Sequence, residues 1–317
     1  MVFDKKTKGY GCKCKDDEIR KKSSSGGVFY YLAEKMIRDG GYVCGCIYDD
    51  DIMPKHIVSN KINDVKKMMG SKYVTSDIKE CIEQLKIIVA RGDKILFSGV
   101  PCQISAIRNI FPKYKNIIYV SVVCHGSIDR KIWLQYLNAE QKYGKIMSVT
   151  MRDKTKGWAN YGLKILYENG NVEVHYRKED GYFLKCFTDG VFQRDACLNC
   201  KFKGKEIKAD ILLGDGWNME KVHPGLCDAL GTSVVICITE KGNKYFENVS
   251  EQLEVEMIDP DKICEMNPRI VSPSEDIPKR KKFLKEFNDN PEKIKELCEK
   301  YSKVTLIDRI INRIKRY

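Results

Sequence analysis

The stretch "RDACLNCKFKG" at 194–204 places Cys197 and Cys200 two residues apart. A C-x-x-C turn lets two thiolates grip one ion or one cluster, and a closed zinc or iron–sulfur site usually takes four such ligands. Two further cysteines stand where chemistry would want them. Cys102, in "SGVPCQ", follows a short apolar strand and lies in the first turn of a helix that Pro101 opens. Cys124, in "VVCHGS", ends another apolar strand. In an open parallel sheet the carboxyl ends of the strands share one edge, and ligands bind there. The helix N-terminus at Cys102 also favours a thiolate. Four soft sulfur donors suit Zn²⁺ or an iron–sulfur cluster, and spacing alone does not choose between them. Two C-x-x-C pairs are the commoner pattern for structural zinc. Two single cysteines plus one pair form a looser set, more typical of a cluster buried in a larger fold.

The chain holds 14 cysteines, so most must do something else. Cys44, Cys81, Cys237 and Cys298 sit in apolar, periodic stretches and read as core residues. Cys12 and Cys14, in "YGCKCKDD", are too close for C-x-x-C geometry and lie in a segment that reads as a polar, frayed terminus. The first residues contain no apolar signal region, and no run approaches the length of a membrane span. A cytoplasmic location with reduced thiols is the expectation.

The elements that must position these cysteines alternate. "VFYYLAEKMIRDGG" has helical spacing and a Gly stop, "YVCGCIY" at 42–48 is strand-like, and 76–93 reads as an amphipathic helix capped by Ser76. "KILFSG" and "NIIYVSVVC" are buried strands, each followed by a helix. This predicts an α/β portion with a mainly parallel sheet and flanking helices. After about residue 146 the texture becomes α+β, with a hairpin at Asn169-Gly170. The expected divisions are a polar segment at 1–17, an α/β part at 18–145, an α+β part with the C-x-x-C loop at 146–275, and a helical tail at 276–317.

The net charge of +12 does not point to nucleic acid. Residues 279–317 carry 13 Lys and Arg against 6 Asp and Glu, a surplus of 7 that leaves +5 for the other 278 residues. No basic groove interleaved with aromatics is present. In the tail, Leu306, Ile307, Ile310, Ile311 and Ile314 form an apolar stripe with Arg309, Arg313 and Arg316 largely off it. Such a helix docks on its own domain or another subunit, and its composition also allows peripheral membrane contact.

Seven strings occur in a fixed order: "IRKKSSSGGVFYYLAEKMI", "GSKYVTSD", "ILFSGVPCQISAI", "VVCHGS", "MRDKTKGW", "CLNCKFKG" and "ADILLGDGW". Over about residues 18–250 the chain resembles the coenzyme F-420 hydrogenase/dehydrogenase beta-subunit family. The resemblance implies an oxidoreductase with FAD and a 4Fe–4S cluster, passing electrons between a reduced deazaflavin or another small donor and a redox partner protein. It implies Cys102, Cys124, Cys197 and Cys200 as the cluster ligands. Many relatives begin with a ferredoxin-like segment of C-x-x-C-x-x-C repeats, where only "CKC" stands here. "GVPC" replaces the commoner "GTPC", and "GDGW" stands where "GDFW" is usual. Many relatives look like accessory enzymes of surface-polysaccharide synthesis. The alternative is a zinc-stabilised or degenerate subunit without catalytic activity.

A flavin dinucleotide needs its pyrophosphate neutralised, an apolar slot for its ring and partners for its polar edge. Ser23, Ser24, Ser25, Gly26 and Gly27 form a Gly-rich loop opening a helix, which suits phosphate. Gly70, Lys72 and Tyr73 add a charge and an aromatic face, while Arg152, Lys154 and Trp158 offer two charges and a stacking surface. Gly99, Pro101 and Gly126 would permit close backbone approach, and His125 could bond the flavin edge or a cluster sulfur. Asp215 and Trp217 end a buried strand. No Ser/His/Asp relay and no carboxylate pair suggests acid–base catalysis by the protein. The chemistry would be the cofactors' own, at flavin N5 and the cluster.

Overall fold

A computed structural model describes residues 2–303, so the apolar stripe of residues 306–314 and its arginines lie outside the described residues. The strands are β1 (Lys8–Cys14), β2 (Tyr42–Tyr48), β3 (Pro54–Ser59), β4 (Ile95–Gly99), β5 (Ile117–Val122), β6 (Ile146–Asp153), β7 (Gly162–Tyr167), β8 (Val172–Tyr176), β9 (Ile211–Asp215), β10 (Ser233–Cys237) and β11 (Leu253–Met257). Eight form one sheet in the order β11-β1-β10-β9-β5-β4-β2-β3, and β6-β7-β8 form a second.

The middle of the large sheet is parallel: β2, β4, β5 and β9 run the same way as neighbours. Strands covered on both faces must be apolar throughout. "ILFSG" and "IIYVSV" meet that demand, each with a single half-buried residue. Outside this middle, β3 and β10 are antiparallel to their neighbours, and β1 pairs antiparallel with both β10 and β11. One face packs against the helix Val28–Arg38, the other against the helices Lys79–Arg91, Pro101–Ile110 and Pro260–Met266. Cys44, Cys81, Cys237 and Cys298 are buried, as their settings predict.

A separate core joins the small sheet to helices Arg130–Glu140, Tyr182–Thr188, Pro278–Asp289 and Ile294–Ser302. Trp133, Tyr136, Phe183, Phe192 and Phe283 make a chain of aromatic contacts through it, with ring centroids 4.2–6.0 Å apart.

Three expectations differ. The terminus read as polar and frayed is β1, an interior strand of the large sheet with Cys12 and Cys14 buried. Its glycines explain this: a Cβ on Gly9 would lie 2.3 Å from the Ile258 carbonyl, and one on Gly11 would lie 2.9 Å from Met219. The strand is buried because its neighbours close onto it, not because its own side chains are large. The boundaries at 17 and 145 do not separate the strands, since β1–β5 and β9–β11 share one sheet. The change of texture at 146 marks an inserted antiparallel sheet, after which the chain returns to the first. The helix expected from Ser76 starts at Lys79. The Ser76 hydroxyl instead meets His56 Nδ1 at 3.0 Å and accepts from Gln103 Nε2 at 2.8 Å.

Candidate functional site

The registers put one set of residues at the carboxyl edge of the parallel strands. Phe97 lies opposite Cys44, Gly99 opposite Ser121, Val122 opposite Leu213, and Ser233 opposite both Asp215 and Cys12. The segments that leave this edge therefore carry Cys102, Cys124, Asp215 and the loop after β1. Pro101 is the buried first residue of its helix, and Gln103 folds back to accept from the Val100 amide at 3.1 Å. Gly99 gives room for that turn, since a Cβ there would sit 3.0 Å from Gln103 Oε1. Cys102, in the first turn, is exposed.

The four cysteines of the sequence reading come together. Although part of Cys102 reaches solvent, its Sγ is crowded by protein on the other side, and this desolvation, followed by the nearness of Cys200 and Cys197, raises the thiol's pKa. Burial pushes Cys124 to about 11, against the pull of Lys203 and the Gly126 backbone, with Cys102 and Cys197 adding to the rise. Cys102 and Cys124 thus both lie within electrostatic reach of the C-x-x-C loop. They are not clenched on one point: among the described residues, the only three or more His, Cys, Asp or Glu ligand atoms within 4.8 Å of one another belong to Glu140, Glu173 and His175. A tetrahedral zinc with bonds of about 2.3 Å would bring its sulfurs to within about 3.8 Å of each other. The cysteine set is wider than that.

The surroundings of Cys124 are cationic and donor-rich. The Gly126 amide donates to Cys124 Sγ at 3.4 Å. Lys203 Nζ donates to the carbonyls of Cys124 at 2.5 Å and Arg269 at 2.6 Å, fixing an ammonium beside the thiols. His125 is held three ways. Its ring Nε2 bonds the Thr188 carbonyl at 2.9 Å, and its own carbonyl accepts from Gln193 Nε2 at 2.9 Å and Ser274 Oγ at 2.7 Å. Burial and then Arg269 lower its pKa, so the ring is neutral with the proton on Nε2. Gly126, at φ 118°, gives its space to Gln193, whose Oε1 would lie 1.5 Å from a Cβ there.

The second group surrounds the serine loop. Gly27 opens the helix Val28–Arg38 at φ 85°, and Gly26 lies against the Cys12 carbonyl, 2.5 Å from where a Cβ would stand. The hydroxyls are engaged with the protein: Ser23 donates to the Ile19 carbonyl at 2.8 Å, Ser24 bonds Ser71 at 2.7 Å, and Ser25 bonds Ser233 at 2.7 Å. The Gly26 amide also donates to Ser233 Oγ at 2.9 Å.

Arg152, Lys154 and Trp158 converge on this loop, in a different role from phosphate binding. Arg152 Nη2 and Trp158 Nε1 both donate to the Ser24 carbonyl, at 2.9 and 3.1 Å. Arg152 also forms a two-point pair with Asp215 at 3.0 and 3.4 Å and donates to the Tyr73 hydroxyl at 3.2 Å. Lys154 Nζ donates to the carbonyls of Arg20 at 2.5 Å, Leu230 at 2.7 Å and Ser25 at 3.4 Å. Burial, then Arg152 and Arg20, push its ammonium down to about 7. Both charges are spent inside the protein, where they fasten the loop from behind. Lys72 is spent likewise. It donates to the carbonyls of Met69 at 2.8 Å, and of Met68 and Gly70 at 3.3 Å, closing the end of the helix Ile62–Met68, while Gly70 turns the chain at φ 78°. Tyr73 stacks on Phe187 at 4.3 Å.

Trp158 stacks on Trp217 with centroids 4.2 Å apart, and the pair walls a crevice of about 390 Å³ that also touches Gly216, Asn218, Asp228 and Gly231. An open hollow of about 850 Å³ lies beside the C-x-x-C loop, between Leu198–Asn199 and Pro268–Asp276. Ser233, Lys203 and Gln193 are absent from the sequence reading. Lys203 stands three residues after Cys200 and could have been noticed; nothing near Ser233 or Gln193 marks them.

An open α/β sheet thus carries a thiol quartet and a glycine-rich loop on one edge. Residues 92–263 match the family described as the C-terminal region of the coenzyme F420 hydrogenase/dehydrogenase beta subunit, and the chain belongs to that family. Its fold is similar to that of a chain in the F420-reducing NiFe hydrogenase complex from Methanosarcina barkeri, with a TM-score of 0.58 and 21% identity, over 90% of this chain and 93% of that one. No curated protein matches the sequence. Among the described residues, no helix is long and apolar enough to cross a membrane.

Proposed function

We propose that the chain is a flavin- and iron–sulfur-dependent oxidoreductase in which Cys102, Cys124, Cys197 and Cys200 hold a 4Fe–4S cluster. The observation that carries this reading is the convergence of four thiols, from three distant parts of the chain, at a spacing wider than one zinc ion takes. FAD would lie along the same edge, against the Ser23–Gly27 loop, the Gly70–Tyr73 turn and the paired rings of Trp158 and Trp217. When bound, FAD supplies two-electron exchange and the cluster one-electron exchange. The protein's own groups set the stage. Lys203 and the Gly126 amide offset negative charge at the sulfurs, and both can hold it without being consumed. The Arg152–Asp215 pair and Lys154 hold the loop carbonyls inward, which leaves the backbone of a helix N-terminus as the anion-facing surface. The bond to Thr188 fixes the orientation of the His125 ring.

The donor would be a reduced deazaflavin or another small molecule, and the acceptor a partner protein. The similarity in fold to a chain of a hydrogenase complex supports a partner. Service to surface-polysaccharide synthesis is a narrower form of the same proposal. Purified without oxygen, the protein should be brown, with iron and sulfide each near four per chain and one flavin. Cys197→Ala or Cys200→Ala should strip the iron. A colourless anaerobic preparation with zinc in place of iron would refute the reading and leave the zinc-stabilised alternative.

A further inference from the structure

Away from that edge, at the far end of the small sheet, three potential ligands meet. We propose that Glu140, Glu173 and His175 form a binding site for a divalent transition-metal ion. One donor atom from each lies within 4.8 Å of the other two. The sequence positions follow from the elements. Glu173 and His175 are alternate residues of β8 and so share a face. Glu140 is the last residue of the helix Arg130–Glu140, brought over that face by the Tyr167 hydroxyl, whose single proton is shared between the Glu140 carbonyl at 2.8 Å and Glu173 Oε2 at 3.1 Å.

Two features set this group apart from a chance cluster of acids. First, Glu140 is fully buried, and among the described residues its Oε1 has no hydrogen-bond partner. Lys295 takes only the other oxygen, at 2.9 Å. The Tyr136 hydroxyl lies against the same carboxylate, its pKa raised first by burial and then by the Glu140 charge and a hydrogen bond to that side chain, yet Oε1 itself has no partner in hydrogen-bond geometry among the described residues. An anionic oxygen left without a partner in a buried place is costly unless a cation satisfies it. Secondly, the His175 ring is oriented as metal-bound imidazoles are. Its Nδ1 meets Asp180 Oδ2 at 2.8 Å, while Nε2 is buried, has no hydrogen-bond partner among the described residues, and stands 3.9 Å from Glu173 Oε2. A carboxylate on one ring nitrogen fixes the tautomer that leaves the other nitrogen's lone pair for a metal. Lys142, 2.9 Å from Glu173, and Lys295 rim the site, so three carboxylates, Glu140, Glu173 and Asp180, face two ammoniums and leave one negative charge for a cation to meet. One imidazole and two carboxylates suit Mn²⁺, Fe²⁺ or Zn²⁺ better than a thiophilic ion. The site bridges the small sheet, the helix Arg130–Glu140 and, through Lys295, the helix Ile294–Ser302, so the ion would brace the second core. This is independent of the redox reading.

Mn²⁺ is the probe, because the cysteines compete for it weakly. Protein purified anaerobically is titrated with Mn²⁺ up to about 1 mM, the weak end of useful cation sites, and the free ion is followed by its six-line EPR signal. One bound ion per chain is expected, with a rise in melting temperature. Glu173→Gln and His175→Ala should abolish both effects, Asp180→Asn should weaken binding about 10–100-fold, and Cys197→Ala should leave Mn²⁺ binding intact. Glu173→Gln preserves shape, and its circular dichroism should match the parent protein. No bound Mn²⁺ in the parent, or equal binding by the parent and Glu173→Gln, overturns the proposal.

Discussion

Replacing Asp215 with Asn tests whether the serine loop is fastened from behind. Arg152 is 4% exposed, and its only carboxylate among the described contacts is Asp215, at 3.0 and 3.4 Å. Breaking a buried pair by removing one partner costs about 3–5 kcal/mol, because a buried charge is left behind. Here the cost is smaller. The Asp215 side chain is 21% exposed, and the guanidinium keeps Ser24, Tyr73 and the Tyr161 ring 4.1 Å away. We expect about 2–3 kcal/mol, part of the loss being offset by these partners. Urea unfolding under anaerobic conditions, followed by the fluorescence of the stacked Trp158–Trp217 pair, reads the change directly. Arg152→Met alone and the double variant complete a cycle, whose coupling should be at least about 1 kcal/mol. A cost below about 0.5 kcal/mol for Asp215→Asn, or additive single effects, would show that Arg152 does not depend on this carboxylate.

Lys154 carries a pH dependence of definite sign. Its folded-state pKa, about 7, is below the unfolded value, so between about pH 7 and pH 10 the unfolded chain binds the extra proton and stability rises with pH. Lys154→Met should flatten that rise, by at most about 1.4 kcal/mol per pH unit; an unchanged slope would contradict the assignment. Gly126→Ala demands a left-handed φ of 118° and a Cβ on top of Gln193, so a loss of about 2 kcal/mol or more is expected in the same urea assay. Phe283→Ala empties a fully buried place between Phe192, Phe287 and Tyr301 and should cost about 3–5 kcal/mol, measured by thermal or urea unfolding.

The parallel middle of the sheet and the cysteine quartet are legible in the sequence because each is announced locally. "KILFSG" and "NIIYVSVVC" are unbroken apolar runs closed by Gly or Cys, and a cysteine just beyond such a run must lie at the sheet edge. The rest depends on distant partners. β1 is hidden because glycine counts as neither apolar nor large, and its burial comes from Ile258 and Met219 closing in. Arg152 and Lys154 read as phosphate ligands because a charged Gly-containing loop beside a tryptophan looks solvated. Their carbonyl partners stand up to 134 residues away. The same distance conceals Glu140, whose companions on β8 belong to a strand with no visible chemistry of its own. For this reason no carboxylate pair is visible in the sequence.

β1 is made long before the strands that complete it. Its Cys12 lies opposite Ser233, and its other neighbour, β11, is later still. While the chain is being synthesised, this strand leaves the ribosome with both edges bare and waits for about 220 further residues before either is covered. The glycine-rich turn that follows it waits as well, since Ser233 supplies its anchor. The N-terminal third therefore cannot mature on its own, and any loading of a cofactor into that turn is an event of the finished chain.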